Sequence, residues 1–501
     1  MTGSSFGRTV VRRVSLIALI ALIPSTAVGS SSWFAQSGDS TAVGWDAAVG
    51  SSRLAAGAGS GPPISLRPTG GIGDTHGDGY SVPSKHVCGP HICVHWVSST
   101  ADAPPPADLN HNQVPDQVDR TLAAFEVAWT AEVVRMGFRA PKSDITSRDH
   151  GPDGRLDVYL ADVGARNLDG YVATDDPNAS NDNYRYRDYS AYVVVDNDFS
   201  TSQLGPSGGQ GGLRVTAAHE FFHTVQYAYD SGEDPWLVEG TAVWMEDQVA
   251  DDVNANLIWL RESPLTHPWV PVDSSQGLNE YGAWIFWRFL SETDDAGGSS
   301  ASLVRRVWEL AADAPGDPNL FSAQALRKVL DSRRRSLASA LVGFGVWNLA
   351  PAAFYEEGAR YPTAPIDRYH RMSVSHPTAG WSTLHLNHLS TGAVSFEPSS
   401  GSPARASLRL TLDAPATRIG SAARLLLFLR SGFLRVIPVV LDQHGDADLL
   451  VPFGSTQVRR VVLVYANAGT SFRCWTGEGY SCNGLSREDR LPFSYLATLV
   501  R

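Results

Sequence analysis

His219-Glu220-Phe221-Phe222-His223 lies inside the run LRVTAAHEFFHTVQYAYD, whose apolar spacing is helical. A helix stacks residues four apart on one face, so both imidazoles can reach a single ion, and Glu220 projects close beside it. A carboxylate next to metal-activated water is what peptide-bond hydrolysis needs. Two histidines do not complete such a centre. A catalytic zinc takes three protein ligands and keeps one position for water, so a second segment has to fold back over the motif.

The best candidate for that third ligand is Glu239, in the stretch WLVEGTAVWMED. It enters a new helix after the break DSGEDP, and a helix-loop-helix would return it to the two histidines. Gly240 and Ala242 are small and allow this helix to pack closely on the first. Glu246 lies seven residues on and shares the face of Glu239, where it can orient a ligand histidine. A solvated or helix-paired acid fits the same position.

The 501 residues can bury one large core, and more naturally two or three units. Residues 1–29 have the form of a signal peptide. Arg8, Arg12 and Arg13 precede an apolar run from Val14 to Ile23, and Ala27-Val28-Gly29 suits cleavage after Gly29. An uncleaved anchor is the alternative. No later segment is long and apolar enough to span a bilayer. A net charge of −12 argues against nucleic-acid or anionic-membrane partners. The chain is therefore expected outside the cell, free of the membrane once the leader is removed. Cys88 with Cys93, and Cys474 with Cys482, form close pairs that read as disulfides in an exported chain. His86, His91 and His95 interleave with the first pair, and a structural metal site there is the competing reading.

Residues 30–84 are rich in Gly, Ser and Ala and read as a low-complexity linker or propeptide. A catalytic unit is expected over 85–375. It starts with strands at VHWVSS, LDVYLADV and SAYVVVDND and a helix over Thr121–Met136. After the Gly-rich loop 205–212 and the motif helix come helices at Trp236–Val249, Tyr281–Glu292, Ala301–Ala312 and Ala323–Leu349. From Trp381 to the C-terminus, strands such as SLRLTLDA, ARLLLFLR and VRRVVLVYANA follow at short spacing with no helix signal, which predicts a β-sandwich over 381–501. The fold class is α+β, with a mixed first half, a helical second half and the β appendage.

Asp108-Leu109-Asn110-His111-Asn112-Gln113-Val114-Pro115-Asp116-Gln117-Val118-Asp119 has the form of a calcium loop. Side-chain oxygens of Asp108, Asn110, Asn112, Asp116 and Asp119 fall at the ligand positions, and Val114 can offer its carbonyl. Gln113 stands where a glycine is usual and Asp119 where a glutamate is. An Asn/Asp-rich turn capping the next helix is the other reading. Asp149, Asp153 and Asp157 read as a turn rather than a second site. Gly205-Pro206-Ser207-Gly208-Gly209 matches G-x-S-x-G formally, but that chemistry needs a tight strand-to-helix elbow, and a flexible loop is expected.

HEFFH followed by WLVEGTAVWMED resembles the gluzincins, whose ligands are the two histidines of HExxH and a downstream glutamate. The WLxEGxAxxxE pattern is similar to that of the gluzincin aminopeptidases, which also carry a tyrosine that donates to the oxyanion. The resemblance implies that role for Tyr281, although Gly282 follows it directly. The Gly-x-Met-Glu-Asn motif that binds the substrate amino terminus in those enzymes is missing, which favours endopeptidase activity. From about Val94 to the C-terminus the chain resembles a family of secreted bacterial metalloproteases with a β-rich C-terminal region. The stretches VHWVSSTADAPPPADLNHNQVPDQVD and GRLDVYLADVG, the histidine and glutamate segments and the late strands carry that likeness. It implies a zincin-like catalytic domain, Zn2+ at His219, His223 and Glu239, Glu220 as general base, and a protein or peptide substrate. The alternative is an inactive zincin-fold protein whose β-sandwich binds a surface glycan or protein.

Overall fold

Strands from the first half of the chain assemble into one sheet, in the order β1-β2-β3-β5-β4. These are β1 (Lys85–Cys88), β2 (Ile92–Trp96), β3 (Leu156–Ala161), β4 (Gly170–Ala173) and β5 (Tyr192–Asp196). The computed structural model of the chain describes residues 66–70, 79–294, 301–399 and 402–500. The expected leader, and most of the expected linker, lie outside the described residues.

The β1–β2 hairpin is antiparallel, β2, β3 and β5 are mutually parallel, and β4 runs antiparallel on the edge. Alternation along the strands splits the sheet into two faces. Val158, Leu160, Val193 and Val195 face helices α1 (Asp116–Trp129) and α3 (Gly209–Tyr227), which follows the short α2 (Thr201–Leu204). Tyr159, Tyr171, Tyr192 and Val194 face the other way, against Tyr80. The segment expected to be a linker up to residue 84 thus contributes to the packed structure. Within it, the Arg67 guanidinium is fully buried and donates to Asp144, Asp157 and Asp175 at 2.7, 2.6 and 2.8 Å.

The chain from residue 235 to 354 is helical: α4 (Pro235–Val249), α5 (Asn279–Gly282), α6 (Trp284–Glu292), α7 (Ser302–Ala311), α8 (Ser322–Ser332), α9 (Leu337–Asn348) and α10 (Pro351–Phe354). Trp236, Trp244, Trp284, Trp287 and Trp308 are all fully buried in its core. The single helix expected over Ala323–Leu349 is two helices. Arg334 takes a left-handed conformation at the break, and Ser336 caps α9 by accepting from Ser339 N.

Sixteen strands occur among the described residues, eleven of them after Ile366. Strands β6 (Arg368–Met372), β7 (Thr378–Leu386), β8 (Ser390–Pro398), β9 (Ser407–Asp413), β10 (Ser421–Leu429), β11 (Leu434–Val439), β12 (Asp446–Pro452), β13 (Val458–Asn467), β14 (Phe472–Arg473), β15 (Leu485–Ser486) and β16 (Leu491–Val500) form this β-rich region. It begins at Arg368, ahead of the expected boundary at residue 381. Two larger sheets, β11-β10-β13-β8-β6 and β12-β9-β16-β7, share a core of Leu425, Leu427, Val461, Leu463, Leu408, Leu410, Phe493 and Tyr495.

Helix α9 covers the opposite face of the first of these sheets, so Leu426, Val462 and Val464 belong to the core that also holds the motif helix. Burial on both faces explains why ARLLLFLR and VRRVVLVYANA are near-continuous apolar runs, whereas β9 and β16, with one solvated face, alternate. The β-rich region therefore keeps a core between its own two sheets and, through the outer face of the first sheet, joins the core of the helical region.

Candidate metal centre

Helix α3 carries His219, Glu220 and His223, and it is buried on almost every side rather than along one stripe. Its apolar residues meet the sheet, α1 and α4 together, so the helical apolar spacing of the sequence does not mark a single buried stripe. His219 Nε2 and His223 Nε2 lie 3.5 and 3.6 Å from the same atom, Glu239 Oε2, on α4. One ligand atom from each of the three residues falls within a 4.8 Å cluster.

The opposite ring nitrogens are fixed. His219 Nδ1 lies 2.8 Å from Glu246 Oε1, and His223 Nδ1 lies 2.6 Å from Gln226 Oε1. A carboxylate and an amide oxygen can only accept, so both rings carry a proton on Nδ1 and aim Nε2 toward Glu239. His223 Nε2, Glu239 Oε2 and Glu220 Oε2 are buried with no hydrogen-bond partner among the described residues. Bare buried acceptors of this kind cost stability unless something electropositive meets them. Tetrahedral ligands at zinc bond lengths stand roughly 3.3 Å apart, so the two-nitrogen, one-oxygen set fits that ion in both chemistry and spacing.

Charge in the site follows from burial. Burial opposes the charged form of His219, but the nearby carboxylates of Glu239 and Glu246 outweigh it and raise its pKa well above the usual value. Burial pulls His223 down to about 4. It pushes Glu220 up to about 8, with Glu239 and Asp169 adding to the rise against the lowering effect of His219. In Glu239 burial is overcome by His223 and His219, and the carboxyl stays below the usual range.

Every residue expected around the ion is brought together. Tyr281, on α5, stacks over His219 with ring centroids 6.4 Å apart, and its hydroxyl helps to lower the Glu239 pKa. Gly240 does not pack on the first helix as expected. A Cβ there would stand 3.0 Å from Trp287 Nε1 and 3.2 Å from Ala283 Cβ, so its smallness brings α4 against α6 and the end of α5. On the other side, Gly170 lets the edge strand β4 pass within 3.2 Å of Glu220 Cγ, measured from the Cβ position it lacks.

Sequence reasoning missed Gln226 and Asp169. Gln226 offered only a polar residue three positions after the second histidine. Asp169 precedes β4, accepts from Ser207 Oγ at 2.9 Å, and is pushed by burial to about 7.

The other candidates separate. Ser207 occupies a 3-10 turn, with its hydroxyl on Asp169 and the Leu204 carbonyl, and has no strand-to-helix elbow. Cys88–Cys93 and Cys474–Cys482 are disulfides. His91 and His95 bond different carboxylates, Glu126 and Asp157. Asp153 pairs with Arg155, and Asp157 with Arg67 and His95, so no second aspartate site forms around Gly151. In the 108–119 loop, Asn110 and Asn112 both donate to Asp119 Oδ2, and Asp108 accepts from Asn112 N and Gln113 N. Gln113 makes the sharp turn at φ +68° without a glycine. Asp116 accepts from Leu109 N and opens α1, and Val114 packs against the core.

No family model matches the chain, and no curated protein matches it. Among solved structures, the pre-peptidase C-terminal domain of a collagenase from Bacillus anthracis aligns at 10% identity over 28% of this chain and 99% of that one, with a TM-score of 0.16. A family GH115 4-O-methyl-α-glucuronidase with specificity for decorated arabinogalactans aligns at 11% identity over 57% of this chain and 41% of that one, with a TM-score of 0.15. At such scores neither likeness bears on fold or activity.

Proposed function

We propose that this chain is an exported, zinc-dependent endopeptidase with a zincin-like catalytic region, hydrolysing peptide bonds in proteins or peptides. The observation that carries the reading is the aim of His219 Nε2 and His223 Nε2 at one Glu239 oxygen, with Glu220 Oε2 buried and unpartnered on the same helix. His219, His223 and Glu239 would hold the ion. Zinc in such a site supplies Lewis acidity and lowers the pKa of water toward about 7.

Glu220 takes a proton from the attacking water and delivers it to the leaving nitrogen. Tyr281, turned toward the scissile carbonyl, donates to the developing oxyanion. Among the described residues strand β4 pairs only with β5, so its other edge offers backbone groups to an extended peptide running past Glu220.

Both disulfides suit an oxidising compartment, and no helix among the described residues is long and apolar enough to cross a membrane. The 108–119 loop is proposed to take calcium through Asp108, Asn110, Asn112 and Asp119. Metal content of the purified protein, together with casein cleavage before and after chelation, tests the reading. One zinc per chain with chelator-sensitive cleavage supports it. Cleavage that survives complete zinc removal rejects it.

A further inference from the structure

We propose that Asp247, Asp251 and Glu357, with the amide oxygen of Asn256, bind a hard divalent cation of the calcium class at a site separate from the histidine pair. The proposal is independent of the proteolytic reading.

One carboxylate oxygen from each of the three acids falls within a 4.8 Å cluster. Asp247 is buried near the end of α4, Asp251 is exposed in the turn that follows, and Glu357 comes from the segment after α10. Close approach of three carboxylates is repulsive unless a cation separates them. The surrounding charge does not supply that cation. Arg288 is shared among Asp247, Glu292 and Glu356, and Arg360 reaches Glu357 only at 3.5 Å. Five carboxylates therefore meet two guanidiniums. Asp252, next along the chain, is already held by Arg214 and is not available.

Independent evidence comes from buried oxygens without partners. Asn256 is 1% exposed; its amide nitrogen donates to Asp247 Oδ1 at 3.1 Å, and its Oδ1 has no hydrogen-bond partner. Glu357 Oε2 and Tyr361 Oη are also buried without partners, and Tyr361 feels the charges of Asp247 and Glu357. Leaving such acceptors bare is costly. A cation among them would satisfy several at once.

The donor set is all oxygen, with carboxylates and an amide, which is the preference of calcium rather than of zinc or copper. Exposed Asp251 provides the way in from solvent. A bound ion would tie the end of α4 to the 3-10 segment Ala255–Glu262 and to the Glu357 turn. Because α4 also carries Glu239 and Glu246, the ion would brace the helix that serves the histidines.

Terbium luminescence on the full chain, saturated with zinc and carrying Asp119→Asn to silence the 108–119 loop, tests the site. Saturable emission, displaced by calcium and weakened about tenfold or more by Asp251→Asn or Glu357→Gln, is expected. Asp251 is exposed, so Asp251→Asn should fold, and an unchanged circular dichroism spectrum would confirm that. Absence of saturable emission overturns the proposal. So does unchanged affinity in a folded Asp251→Asn/Glu357→Gln protein.

Discussion

Gln226 grips His223 Nδ1 through its amide oxygen at 2.6 Å and, through its amide nitrogen, donates to the Val238 carbonyl at 2.8 Å. One side chain thus sets both the tautomer of a histidine on α3 and the height of the residue just before Glu239 on α4. Its amide nitrogen also reaches Thr241 Oγ1 at 3.2 Å, one turn beyond Val238.

Gln226→Ala should therefore loosen two of the three proposed zinc ligands at once. Loss of an outer partner of a ligand histidine lowers metal affinity about 10–100-fold. Competition with a chromophoric chelator would measure this. Unchanged affinity would mean that packing alone orients His223.

Glu220→Gln keeps the shape of the site and removes the base. Zinc content should stay at the wild-type level while kcat/KM for a peptide substrate falls roughly 10²–10⁴-fold. Normal turnover in the zinc-loaded variant would eliminate Glu220 from the assigned role.

The sequence showed much of this arrangement because histidines four apart need only helix geometry to converge, and Glu239 and Glu246 share a face of the next helix. Gln226 was hidden because α3 is buried almost all round, and a polar residue there carries no periodic signal. The break between α8 and α9 was equally hidden. Arg333, Arg334 and Arg335 are good helix formers, so their propensity gives no sign of the left-handed turn at Arg334. Strand β8 was missed for a different reason: Ser390, Thr391 and Ser395 are buried polar residues within it, so its apolar pattern is broken.

Tyr281→Phe removes a hydroxyl that helps to hold the Glu239 carboxyl below its usual range. If that hydroxyl turns to the oxyanion during reaction, kcat should drop about 10²–10³-fold with KM little changed and zinc retained. A rise in KM alone would assign Tyr281 to substrate contact instead.

His388 governs the junction between the helical and β-rich regions. Its Nδ1 bonds Asp489 Oδ1 at 2.5 Å, and its Nε2 lies 3.0 Å from Asp273 Oδ1, while the rings of Phe472 and Tyr480 close around it. Asp273 also accepts from Ser481 N and Oγ, and the adjacent Cys482 N donates to Asp234, the residue ahead of α4. Burial works against the imidazolium, but the two aspartates outweigh it and raise His388 to about 9. A histidine whose pKa is raised on folding stabilises the native state fully below its ordinary value, near 6.5, and loses that contribution as pH climbs through the raised one. The wild-type protein should therefore lose on the order of 3 kcal/mol of unfolding free energy from this group between about pH 6 and pH 10. In His388→Gln that part of the slope should vanish, leaving lower stability at pH 6 and nearly equal stability at pH 10. Urea unfolding of both proteins across this range measures the difference. Parallel curves would show that His388 stays neutral and that Asp273 and Asp489 hold the junction without it.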